Sequence, residues 1–336
     1  MAAPRPRPPR RTRRAALAAA ALLLAGAATA CGSSAADTGG GSSGSATLRV
    51  GVIGTKAELT GPTGYLHTEK KLLPLLRKAG FTAVKVYPFP NGPDLNQALV
   101  GGSLDVASYG DTPALVARGS GLATRLISLA SVDNDASVVV RAGGPTSLKD
   151  LRGKKIAVAT GSYMHRYLLG ALQDEHVEPA EITHVYTADT QAPLERGDIA
   201  AAALPEVNAR VFESKGFKVI DHLAEDHPDY AGTSATVSTD DFLSAHPGFV
   251  KLWRDAQDRG SRDALADFRR YQDFETTLDG FPAPLVRETT LKSQLPTSAV
   301  PKRGLQLLEG TKKFLVEQKF IKEDFDLGDW IADASG

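Results

Sequence analysis

From Leu48 to Leu204 the chain alternates short, strongly apolar runs with stretches whose apolar residues recur at helical spacing. This alternation limits the fold more than any other feature. LRVGVI (48–53), AVKVYPF (83–89), LDVASY (104–109), SVVVRA (137–142), KKIAVAT (154–160), ITHVY (182–186) and IAAAAL (199–204) have the length and character of buried strands. Between them, TEKKLLPLLRKAG (68–80), GPDLNQALVGG (92–102), TPALVARG (112–119), SYMHRYLLGALQDEHV (162–177) and QAPLERGD (191–198) read as helices. Thr68 is placed to cap the first and Gly80 to stop it, and Pro93 falls in the first turn of the second. Met164, Tyr167, Leu168, Ala171 and Leu172 share one helical face. The pattern implies an α/β fold of mainly parallel sheets with helices on both faces. After Thr233 the character becomes helical, as in PGFVKLWRDAQDRGSRDALADF (247–268) and RGLQLLEGTKKFLVEQKF (303–320), with Trp253 and Trp330 as packing residues. No repeat of solenoid period is present.

Three strand ends carry the same chemistry. Ile53 is followed by Gly54-Thr55-Lys56, Tyr109 by Gly110-Asp111-Thr112, and Thr160 by Gly161-Ser162-Tyr163. Open α/β sheets bind ligands beyond the carboxyl ends of their strands. Glycine allows close backbone approach, and a hydroxyl beside the free N–H groups of a helix start suits an anionic group. Each loop read alone is first an ordinary helix cap, with Thr112 and Ser162 as cap residues; three in succession at strand ends bring the ligand reading level with it. Thr55, Lys56, Gly110, Asp111, Thr112, Gly161, Ser162, Tyr163 and His165 are therefore candidates for either role, Tyr163 and His165 because they lie one turn into the third helix.

The N-terminal end has a different composition. Arginines at 5, 7, 10, 11, 13 and 14 precede an apolar run from Ala15 to Ala25, and Ala28-Thr29-Ala30 precede Cys31, the only cysteine. This is a signal peptide over residues 1–30, its apolar region too short for a membrane span. A single cysteine forms no internal disulfide, and its position marks it for lipidation as the new N-terminus. Residues 31–46 are a Gly/Ser tether. The whole chain has 39 basic and 39 acidic residues, but removing the six signal arginines leaves the body with a net charge of about −6. No basic patch points to nucleic acid. Nor does the body hold a Gly-x-Ser-x-Gly elbow, a His-Glu-x-x-His helix or a spaced Cys/His cluster, so the reading is of a protein without metal, cofactor or catalytic function.

FPNGPDLNQALVGGSLDVASYGDTPALVARGSG (89–121) resembles the signature stretch of the solute-binding proteins for aliphatic sulfonates, taurine and nitrate that serve ABC importers. LKDLRGKKIAVATGSYMHRYLLGALQDEHVEPAEITHVY (148–186), LERGDIAAAALPEVNARVFES (194–214) and TDDFLSAHPGFVKLW (239–253) resemble later blocks of the same family. The resemblance implies a periplasmic-binding-protein type II fold, an α/β architecture in which two lobes, each a sheet flanked by helices, are joined by two hinge strands. Lobe 1 is expected over 47–136 and 233–336 and lobe 2 over 137–232, with the three loops facing the cleft between them. Thr112 would then cap its helix and offer its hydroxyl to a ligand. Where the sulfonate-binding branch carries an aromatic-Asp-Pro-aromatic segment, this chain has Leu204-Pro205-Glu206-Val207. Glu206 joins the candidates, and with Asp111 it suits a ligand with a cationic end. The implied function is capture of a small sulfonate or similar anionic or zwitterionic solute, outside the cytoplasm, by a monomer anchored to the membrane through Cys31 that delivers to permease subunits. A secreted enzyme or sensor on the same bilobal fold is the alternative.

Overall fold

The computed structural model describes residues 46–334. The segment expected to be a signal peptide, Cys31 and nearly all of the expected tether lie outside the described residues.

Among the described residues ten strands form two five-stranded sheets. The first contains β1 (Ala46–Ile53), β2 (Phe81–Phe89), β3 (Val106–Gly110), β4 (Thr124–Asn134) and β10 (Gly232–Thr239), in the order β2-β1-β3-β10-β4. The second contains β5 (Ala136–Val140), β6 (Lys155–Val158), β7 (Glu181–His184), β8 (Ala201–Pro205) and β9 (Lys218–His222), in the order β7-β6-β8-β5-β9. The sheets are mixed rather than mainly parallel. β1 runs parallel to β2 and β3, and β6 to β7 and β8, but β10 is antiparallel to both its neighbours, as is β5. These two are the strands by which the chain enters the second sheet and returns to the first, so each arrives from the opposite end.

Period-two alternation places successive side chains on opposite faces. Val138 and Val140 pack with Ile156, Tyr167 and Leu168 on one face of the second sheet, whereas Val139 packs with Leu194, Leu204 and Phe212 on the other. In the first sheet one face is closed by Leu95, Leu115, Leu129 and Trp330, and the other by Leu66, Leu72, Phe249 and Trp253. Trp253 and Trp330 are fully buried, as expected of packing residues, and their indole N–H groups donate to Ser128 and Thr124.

The helices before the first crossing are α1 (Gly61–Thr68), α2 (Leu72–Leu76), α3 (Gly92–Val100) and α4 (Asp111–Gly119). The second sheet carries α5 (Tyr163–Asp174), α6 (Gln191–Arg196), α7 (Glu206–Ser214) and α8 (Leu223–Asp226). After β10 come α9 (Asp240–Ala245), α10 (Phe249–Ala266), α11 (Phe268–Asp279), α12 (Ala283–Thr289), α13 (Lys302–Glu317) and α14 (Leu327–Trp330). The helix expected over 68–80 instead begins at Gly61 and breaks at Lys70, whose φ is +58°. β4, eleven residues long, has no counterpart in the strand pattern read from sequence. Among the described residues no helix is long and apolar enough to cross a membrane.

The chain passes from the first sheet to the second at Asp135, between β4 and β5, and returns at Gly232. Gly232 stands opposite Asn134 in the β10–β4 register, so the two crossings lie side by side.

Candidate functional site

Two adjoining cavities, of about 170 and 220 Å³, open at these crossings. Asn134, Glu275, Thr290 and Gln294 line both. The first is completed by Asp135, Tyr163, Pro205, Glu206, Val207, Phe281, Val286 and Thr289, so it draws its walls from the end of β8, the start of α7 and the segment from α11 to α12. The second is walled by Thr60 and Gly61 at the start of α1, by Ser131 of β4, and by Ser234 of β10.

The polar walls are organised by internal hydrogen bonds. Ser131 Oγ donates to Asn134 Oδ1 at 2.7 Å and shares a hydrogen bond with Ser234 Oγ at 2.9 Å, and Asn134 Nδ2 donates to Ser234 Oγ at 3.3 Å. Asp135 Oδ1 accepts from the backbone N–H groups of Ala136 and Ala224 at 2.8 and 2.9 Å. Its carbonyl accepts from Tyr163 Oη at 2.9 Å and from the N–H of Glu206 at 3.1 Å. Tyr163 also packs against Gly232, where an added Cβ would lie 2.4 Å from the ring Cγ. One aromatic residue therefore touches both crossings and the cavity. Burial pushes its phenol pKa well up, as do the charges of Asp135, Asp111 and Glu206.

Glu206 is buried at the first turn of α7. Ser137 Oγ donates to its Oε2 at 2.5 Å, and Arg210 one turn later lies 2.7 Å from Oε1. Burial raises the pKa of Asp135, and the charge of Glu206 raises it further. Glu275 accepts a hydrogen bond from Tyr271, whose phenol burial pushes well above its usual value. These cavities thus carry three carboxylates, and none of their lining residues is a lysine or arginine.

Of the candidates read from sequence, Tyr163 and Glu206 line the same cavity and the others are placed elsewhere. Asp111 is fully buried, its Oδ1 accepting from Thr112 N and Oγ1 at 2.6 and 3.0 Å, its Oδ2 from Thr233 N and Oγ1 at 3.0 and 3.2 Å. Burial raises its pKa, opposed first by the positive charge of Arg166. Thr112 is not the cap: the helix begins at Asp111 with Gly110 before it, and the Thr112 hydroxyl is turned to Asp111. Gly161 adopts a φ of +77°, and Ser162 caps α5 by accepting from His165 N at 3.3 Å. His165 is buried edge-on against Phe320, and burial pushes its pKa down to about 4. Thr55 and Lys56 are exposed, and Lys56 Nζ donates to the Thr277 carbonyl at 3.1 Å. No helix starts at that loop; the helix start that reaches the cleft is Thr60–Gly61, seven residues beyond Ile53.

Thr60, Ser131, Asn134, Asp135, Ser234, Glu275, Thr290 and Gln294 were not singled out from the sequence. Only Thr60, a hydroxyl before Gly61-Pro62, had a local signal. Among the described residues no group of three or more His, Cys, Asp or Glu is placed to hold a metal ion.

The chain is 26% identical over 259 residues to an aliphatic sulfonates-binding protein of Escherichia coli K12, covering 71% of this chain and 76% of that protein. It is 29% identical over 169 residues to the taurine-binding periplasmic protein of the same organism, covering 49% and 52%. In three dimensions it is similar to the alkanesulfonate-binding protein SsuA of Xanthomonas axonopodis pv. citri bound to MOPS, with a TM-score of 0.68 and 21% identity over 85% of this chain and 98% of that one. The fold is that of the periplasmic binding proteins, and it also extends to an enzyme: the desulfurization enzyme DszB has a TM-score of 0.67 at 17% identity over 85% and 96% of the chains. A family model described as NMT1/THI5 like matches residues 69–269, more than half of the chain, and the protein belongs to that family.

Proposed function

We propose that this protein is the extracytoplasmic solute-binding component of an ABC importer, and that it captures a small sulfonate or similar anionic or zwitterionic solute between two lobes. The single observation that carries this reading is the position of the polar cavities at the two crossings, with walls from both sheets. The strands up to Asn134 and from Gly232 onward would form one lobe, those from Ala136 to His222 the other, with Asp135 as a pivot. A solute held at such a junction favours the closed arrangement by as much as it binds that state better than the open one. The names of the two Escherichia coli relatives support the ligand class, and export with anchoring through Cys31 agrees with their periplasmic role. Permease subunits would then receive the closed form.

The competing reading is catalysis, which the enzyme sharing this fold keeps in view. The cavity walls hold hydroxyls and carboxylates but no histidine or cysteine, so a nucleophile–base pair of the usual kind is not assembled there. The test is calorimetric titration of the protein, unfolded and refolded to strip carried-over ligand, with alkanesulfonates, taurine, sulfate, nitrate and small amines, followed by solution scattering. Tight binding with compaction and recovery of the ligand unchanged is the expected result. A ligand recovered chemically altered would make the protein an enzyme, and tight binding without compaction would remove the closure step.

A further inference from the structure

The charges around the cavities are unbalanced in a way that a receptor for a simple oxyanion would not tolerate. Asp135, Glu206 and Glu275 line the first cavity, and no lysine or arginine stands among its lining residues. Arg210 stands behind Glu206 and is shared with Glu213 at 3.0 Å and Glu288 at 3.8 Å. One guanidinium divided among three glutamates leaves the cavity wall acidic. The charge of Glu206 acts directly on Asp135, as like charges do where water is partly excluded. The second cavity is different in kind. Of the three acids it shares only Glu275, and its other polar groups are mainly hydroxyls and amides, from Thr60, Ser131, Asn134, Ser234, Thr290 and Gln294, beside the N-terminus of α1. Beside the acids of the first cavity, Val207, Phe281, Val286 and the ring of Tyr163 supply an apolar wall.

We infer that the occupant of the cleft carries a protonated nitrogen, read by Glu206, Glu275 and Asp135, with a short apolar body and a polar tail, and that a plain oxyanion without that nitrogen is not retained. This rests on the solute-binding reading and narrows it. An ammonium group offers three donors to a wall lined by carboxylates and by no cation. The second cavity, which neither Asp135 nor Glu206 lines, takes the other end of the molecule, where an oxyanion can meet the helix start and hydroxyls.

The test uses matched probes on the stripped full chain: taurine against ethanesulfonate, and propylamine against propanesulfonate. Any small molecule released on unfolding is also identified by mass spectrometry. At least a tenfold advantage for the amine-bearing members is expected. That advantage is lost in Glu206→Gln and, independently, in Glu275→Gln, each checked to keep a cooperative unfolding transition above the assay temperature; two sites keep the test decisive should one variant fail to fold. Equal or better binding of the amine-free members overturns the inference and leaves the solute-binding reading standing. If no probe binds, a released molecule with a basic nitrogen supports the inference and one without overturns it. Silence from the probes with nothing released overturns both readings together.

Discussion

The sharpest test of how the crossings are held is Gly232→Ala. The added methyl carbon would sit 2.4 Å from Tyr163 Cγ and 2.7 Å from its Cβ and Cδ2, against an ordinary contact of 3.4–4 Å. Gly232 pairs with Asn134 in the sheet, so the backbone cannot easily yield, and the ring must retreat by about 1 Å. The Tyr163 Oη–Asp135 carbonyl bond, now 2.9 Å, is then stretched beyond hydrogen-bonding range. Overpacking of this kind costs about 1–3 kcal/mol. The lost bond adds only about 0.5 kcal/mol, the low end for a neutral pair, because the Asp135 carbonyl keeps the N–H of Glu206. A loss of about 1.5–3.5 kcal/mol is expected in urea unfolding at unchanged slope. Affinity for the cleft ligand should fall as well, because the displaced ring is part of the cavity wall. The same substitution in a Tyr163→Ala background should cost much less, since the methyl then fills space left by the ring. An equal cost in both backgrounds would refute the argument, because the coupling between the two residues would be absent.

Other expectations follow from the same contacts. Ser162→Ala should cost about 1 kcal/mol of stability through loss of the α5 cap while leaving ligand affinity unchanged, since Ser162 does not line the cavities; altered affinity by titration would return it to the site. Asp111→Asn sets an amide N–H₂ against a group of donors and should cost about 1–3 kcal/mol, read by urea unfolding at neutral pH. With its folded pKa raised above the ordinary 3.8, Asp111 contributes stability that is full below its unfolded pKa and lost as pH rises through the folded value. That component of the gain in stability on mild acidification should be missing in the Asn variant, and an unchanged pH profile would contradict it. Arg210→Met leaves the Glu206 charge without its partner. It should cost about 1–3 kcal/mol, between the exposed and buried limits for an ion pair, and should favour amine-bearing ligands further, as titration would show.

The α/β alternation was legible because most strands are buried on both faces and so are written as unbroken apolar runs. β4 was not, for a physical reason. Arg125, Ser128, Ser131 and Asp133 interrupt it, and each is held by a specific partner. Arg125 pairs with Asp240, Ser128 accepts from the Trp253 indole, Ser131 joins the cleft, and Asp133 pairs with Arg303. α1 was missed because Gly-Pro-Thr-Gly is poor helix material. It forms because all of Gly61–Leu66 is buried in tertiary contact. The mixed sheets were illegible because strand direction depends on where the chain returns, not on local pattern. The cleft was read only in part for a similar reason: Thr60, Ser131, Ser234, Glu275 and Gln294 come from segments distant in sequence and share no motif.

Asp111 and Glu206 show where local reading stops. Each is an acid at the first residue of a helix that follows a strand, and locally the two positions have the same chemistry. Their different environments come from the neighbouring strand and from what covers the helix start. Asp111 follows β3, whose partner β10 begins with Gly232-Thr233, and the Thr233 N–H and hydroxyl reach its carboxylate while α13 closes over it. Its opposing charge comes from Arg166, which stands on a helix of the second sheet and donates to the carbonyls of Asp229 and Ala231 beside the return crossing. Glu206 follows β8, whose partner β5 leaves the first crossing, so it meets Ser137 on one side and the cavity facing α11 and α12 on the other. A buried carboxylate fully supplied with protein donors has little left to offer a ligand, whereas one set at a cavity wall with a shared cation behind it does. The same sequence signal therefore yields a structural acid tied to the return strand and a cleft acid facing the cavity, and only the order of strands in the sheets separates them.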